Sequence, residues 1–102
     1  MAHTTTSRLA ALVFCLAALG ASAAENGDAD RGKQLYGRNC AVCHGAADSG
    51  GLGPALKGVA DRLTPDQALK QMMEPRGSMP RFYPHTLTDV DVRDVVTYVL
   101  TL

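Results

Sequence analysis

Two thiols and an imidazole fall within five residues, Cys40-Ala41-Val42-Cys43-His44. Cysteines three apart serve three chemistries, and the histidine beside them helps to choose. They cycle between dithiol and disulfide, supply half of a zinc site, or add to the two vinyl groups of one porphyrin. On a helical turn the two sulfurs point to one side about one turn apart, which suits the porphyrin. His44, on the same turn, then approaches the iron from the face beneath. A dithiol oxidoreductase needs a βαβ scaffold, and the chain offers no convincing strand run. A zinc site needs a second ligand pair, and none follows at usable spacing.

A haem iron held by His44 has a sixth position to fill. Met72 and Met73 fall on a predicted helix at core spacing, where methionine commonly packs rather than ligates. Met79 lies in the loop Arg76-Gly77-Ser78-Met79-Pro80, held between a small residue and a proline. His85 is the bis-histidine alternative, although a histidine in an exposed loop is commonly just solvated. Pro54 closes a glycine-rich loop, Gly45 to Gly53, and stiffens its last turn. The Pro54 carbonyl has no competing local N–H, so it is available to His44 Nδ1. That bond fixes the ring and the tautomer that ligates through Nε2. Leu52, Leu56 and Val59 are expected to be apolar lining on that side.

Short helices must position these groups. Asp28 is a good N-cap, and Gly32, Leu35, Tyr36 and Asn39 recur on one helical face that runs into Cys40. A glycine on that face indicates close approach of another backbone. Thr64-Pro65-Asp66 starts a second helix, which Pro75 ends after about Met73. Thr88 and Asp91 form a capping box, with Leu87 and Val92 at staple positions, ahead of Val92, Val95, Val96 and Val99 at helical spacing. The valines favour a strand on propensity alone. The cap, the length and the lack of a partner strand decide for helix.

The 102-residue chain allows one domain, and formal net charge is zero with no basic run suited to nucleic acid. Residues 1–23 read as a cleaved secretory signal: Arg8, an apolar run Leu9 to Leu19, then Ala21-Ser22-Ala23 as the cleavage site. The run is shorter than the roughly 20 residues a spanning helix needs, so no membrane anchor is expected. Cys15 and His3 leave with the signal. The mature chain, 24–102, is small enough that a core alone is marginal, and a covalently tethered apolar cofactor would serve as its staple.

Cys40-Ala41-Val42-Cys43-His44-Gly45, Gly53-Pro54, Gly77-Ser78-Met79-Pro80 and the closing helix with Tyr98 together resemble a class I c-type cytochrome of the small bacterial monohaem kind. The resemblance implies an all-α fold of three to four helices around one covalently attached haem c. It further implies thioether bonds from Cys40 and Cys43, His44 as proximal ligand and a methionine as distal ligand, for which Met79-Pro80 matches the family's ligand loop. It places Gly32 near Tyr98 where the first and last helices cross. Met/His ligation fills both axial positions, raises the potential and implies one-electron transfer by a low-spin haem rather than catalysis. The expected setting is the periplasm, with redox proteins as donor and acceptor. A second reading is a dedicated electron-accepting subunit of a periplasmic dehydrogenase, since Met79-Pro80-Arg81-Phe82 is similar to the cytochrome subunit of p-cresol methylhydroxylase-type flavocytochromes. Arg76, Arg81 and Lys57 would give such a partner a weak basic rim.

Overall fold

The computed structural model describes residues 27–46 and 49–102; the expected signal segment, with Cys15 and His3, lies outside the described residues. The described residues are helical, with no strand among them. Four α-helices follow in order: α1 (Ala29–Asn39), the single turn α2 (Ala41–His44), α3 (Pro65–Met73) and α4 (Asp89–Val99). A short 3-10 turn, Val59–Asp61, interrupts the long connection before α3.

Helices α1, α3 and α4 each begin where a cap residue satisfies otherwise orphaned amides. The Asp28 carboxylate accepts from the N–H groups of Asp30 and Arg31. Thr88 and Asp91 form a reciprocal capping box at α4. Thr64 forms another with Gln67 at α3, where Pro65 occupies a first-turn position that needs no donor.

α1 and α4 make the main helix–helix contact. Gly32 is buried there, and a Cβ added to it would collide with the Asp94 carbonyl and lie 3.0 Å from Cβ of Tyr98. The missing side chain therefore allows two backbones to approach. Tyr36 and Tyr98 meet edge to face beside it, ring centroids 5.5 Å apart. Asp94, on α4, is only 3% exposed. Its carboxylate accepts from the Asp28 N–H at 2.7 Å and from Arg31 Nη1 at 2.7 Å, while Arg31 Nη2 reaches Asp91 at 2.6 Å. The Gly27 N–H adds a bond to Thr97 Oγ1 at 2.8 Å. The start of α1 is thus clamped along α4 by polar groups, and its middle is clamped by packing.

The core lies between this pair and α3. Tyr36, Ala68, Met72, Leu87, Val92, Val95 and Val96 are buried in it. A larger set of apolar side chains is only half buried against that core, among them Leu35, Leu56, Leu69, Met73, Met79 and Phe82.

Candidate functional site

The end of α1 and all of α2 bring the two thiols and the imidazole onto one turn. Cys40 ends α1 by donating its N–H to Tyr36 O at 2.8 Å. Its own carbonyl then accepts from the N–H groups of Cys43 and His44, at 3.1 and 2.9 Å. The chain leaves the turn at Gly45, whose φ of +82° is a conformation natural to glycine. The Gly45 carbonyl is held by the Tyr36 hydroxyl at 2.6 Å.

The following loop folds back on His44. The N–H of Gly50 donates to His44 O at 2.9 Å, and that of Gly53 to Cys43 O at 2.8 Å. Gly53 lies against the imidazole, so closely that a Cβ there would sit 3.0 Å from both Nδ1 and Cε1. His44 Nδ1 is 2.8 Å from Pro54 O. A carbonyl only accepts, so the proton is on Nδ1 and the Nε2 lone pair is free for a metal. Arg62 pins the rest of the loop by donating to Ala55 O at 3.1 Å and Lys57 O at 3.4 Å. Leu52 is 94% exposed, whereas Val59 is 3% exposed. Leu52 lies in the tight turn closed by the Gly51 N–H to Gly53 O bond, which leaves its side chain outside the core.

The second group of donors comes from α3 and the loop after it. Met79 is half buried and packs against the core. Its sulfur accepts from Gln71 Nε2 at 3.5 Å. Arg81 Nη1 reaches back to Met73 O at 3.3 Å and ties the loop to α3. Met72 is 8% exposed within the core cluster, Met73 packs against that cluster, and His85 is exposed. Gln71 has no sequence motif to mark it; only the fold brings it to Met79. The buried Asp94 was equally hidden among the acidic residues of α4.

The thiols are not bonded to each other. Burial, with a smaller contribution from neighbouring Cys43, pushes the Cys40 thiol up to about 11. A dithiol redox catalyst needs the opposite, a thiol readily ionised near neutrality. No cluster of three or more His, Cys, Asp or Glu able to hold a metal ion occurs among the described residues, which leaves a zinc site without its further ligands. The donor set fits haem c instead: two thiols on one turn, an imidazole with Nε2 available, and a thioether among half-buried apolar side chains.

Comparison with known proteins agrees with this chemistry. Residues 27–99 match the family model described as cytochrome c oxidase, cbb3-type, subunit III. A cytochrome c-553-like protein of Synechocystis is 38% identical over 77 residues, 74% of this chain and 70% of its own length. The crystal structure of cytochrome c6 from the diatom Phaeodactylum tricornutum superposes with a TM-score of 0.63 at 30% identity, covering 74% of this chain and 93% of that one. The dihydro-haem d1 dehydrogenase NirN matches with a TM-score of 0.61 at 34% identity over 69% of this chain, but only 16% of its own length. The chain belongs to the c-type cytochrome family that this model describes. It is a small class I c-type cytochrome that binds one covalent haem c and transfers electrons.

Proposed function

We propose that the mature chain, residues 24–102, is a periplasmic one-electron carrier whose low-spin haem is bonded to Cys40 and Cys43 and ligated by His44 and Met79. The observation that carries this reading is the 2.8 Å approach of His44 Nδ1 to Pro54 O, on the turn that also bears both thiols. When bound, the haem iron supplies a site that gains and loses one electron. The polypeptide's part is to hold its donors still. Pro54 and Gly53 fix the imidazole, and the carbonyls of Cys43, His44 and Gly45 are each bonded, so the turn does not need to rearrange with oxidation state. The Met79 thioether would hold the iron together with His44 and would favour its reduced form.

Export is inferred from the apolar run Leu9 to Leu19 and the small-residue site Ala21-Ser22-Ala23 after it. None of the described helices is long and apolar enough to cross a membrane. A second reading, a dedicated cytochrome subunit, draws support from the match to a small part of a larger dehydrogenase. Native co-purification separates the two: a carrier runs alone, and a subunit brings a larger catalytic chain.

Met79→Ala tests the ligand assignment. The oxidised variant is expected to lose the long-wavelength sulfur-to-Fe(III) band and to show a lower potential in a redox titration. Retention of the band would move the assignment to Met72 or Met73.

A further inference from the structure

We propose that the Tyr36 hydroxyl is a positioning residue for His44: it locks the backbone at Gly45, where the chain leaves the attachment turn, and so keeps the Pro54 carbonyl on the imidazole and lowers the reduction potential. This rests on the reading of His44 as the proximal ligand. The hydroxyl donates to Gly45 O at 2.6 Å. Tyr36 is only 2% exposed, so the bond is made where water competes little for either partner.

The lock acts where the backbone is most free to turn. Gly45 has φ +82° and ψ 167°, one of several conformations open to a glycine. Beyond it the chain returns to the turn: Gly50 N–H donates to His44 O, Gly53 N–H to Cys43 O, and Pro54 O lies 2.8 Å from His44 Nδ1. Those bonds join the loop to the turn it has just left, and Pro54 itself is exposed. The Tyr36 bond comes instead from α1, a helix already clamped to α4. Its ring is aimed by packing, in the core and edge to face with Tyr98. A phenylalanine ring fills the same space and supplies no donor.

The chemical consequence has a sign. The bond from Nδ1–H to a carbonyl makes the imidazole a richer donor, and a richer donor favours Fe(III). With Gly45 unlocked, Pro54 O moves off Nδ1, the ring donates less, and the reduced form gains.

The test compares haem-loaded wild type with Tyr36→Phe, which removes one oxygen, and with Asp94→Ala, which weakens the crossing at the start of α1. Thermal unfolding checks that each variant folds. Solvent exchange of the His44 Nδ1 proton, followed by NMR in the reduced protein, and a redox titration are then read. Tyr36→Phe is expected to exchange roughly fivefold faster, the added opening that one lost hydrogen bond allows. Its potential is expected to be higher, and Asp94→Ala is expected to match wild type in both readouts. If Tyr36→Phe does not fold, fluorotyrosine placed at position 36 supplies a more acidic hydroxyl and a stronger bond, with slower exchange and a lower potential expected. Unchanged exchange and potential in the folded protein overturn the proposal alone, and so does an equal change in Asp94→Ala. His44 ring protons without paramagnetic shift in the oxidised wild type overturn it together with the reading of His44 as ligand.

Discussion

The crossing of α1 and α4 and the two loop regions that carry the site are built in opposite ways. At the crossing every restraint is polypeptide. Gly32 lets the backbones meet, Tyr36 meets Tyr98 edge to face, and Asp94 collects an amide and a guanidinium. In the site regions, residues 45–46, 49–64 and 74–87, much of the order comes from backbone bonds across short loops, and the apolar side chains Leu56, Leu63, Met79 and Phe82 are only half buried. The first region is a self-contained joint. The second is a set of donors carried on loops and flanked by apolar side chains. A domain this small does well to divide the work in this way, because its core alone buries little surface.

This contrast is open to attack from both sides. The largest effect is expected from Cys43→Ala, which removes one covalent tether. Haem staining on a denaturing gel should fall sharply, and amide exchange should rise in 45–46, 49–64 and 74–87 well before it rises in α1 and α4. Equal loss of protection everywhere would show that the crossing is no more self-sufficient than the loops.

Gly32→Val attacks the joint. The added side chain meets the Asp94 carbonyl, backbone that cannot yield easily, and overpacking of this kind costs about 1–3 kcal/mol or more. Helix propensity favours the change by less than that, since glycine is only about 1 kcal/mol worse than alanine. Denaturant unfolding should show the loss, with the sulfur-to-iron band intact while the protein remains folded.

Asp94→Ala is the polar counterpart. It removes the acceptor of the Asp28 amide and of Arg31 Nη1, while Arg31 keeps Asp91, so denaturant unfolding should show a smaller loss than Gly32→Val. A cycle combining it with Arg31→Ala should be strongly non-additive.

The smallest effect concerns acid. The Asp91 carboxyl is held below its ordinary value first by the Thr88 N–H, with Arg31 adding to it. A lowered folded value means that its contribution is present above the usual carboxylate range and is lost as pH falls through the folded value. Asp91→Asn should therefore lower stability slightly near neutrality and flatten the acid limb of a stability–pH curve, because the contribution that acid would remove is already gone.

The legible parts of this chain were those whose cause is local. Cys40, Cys43 and His44 are a contiguous motif, and one helical turn is enough to bring them together. Asp28, Thr64 and Thr88 announce helix starts because a cap acts within three residues of itself. The all-helical fold followed from these starts and from the spacing of apolar residues. Pro54 was legible for a different reason: a glycine-rich loop of this length returns close to the turn it leaves.

What the tertiary structure decided were relations between segments distant in sequence. Gly32 marked a close approach, yet only the crossing shows that its neighbour is the Asp94 carbonyl. Asp94 reads as one more surface acid until Asp28 and Arg31 are folded over it. Gln71 carries no pattern at all, and its meeting with Met79 depends on how the loop after α3 doubles back. The physical reason is common to all three. A cap or a motif is set by backbone geometry over a few bonds, whereas burial and hydrogen bonding between α1 and α4, or α3 and its loop, are set by where the packed helices finally lie.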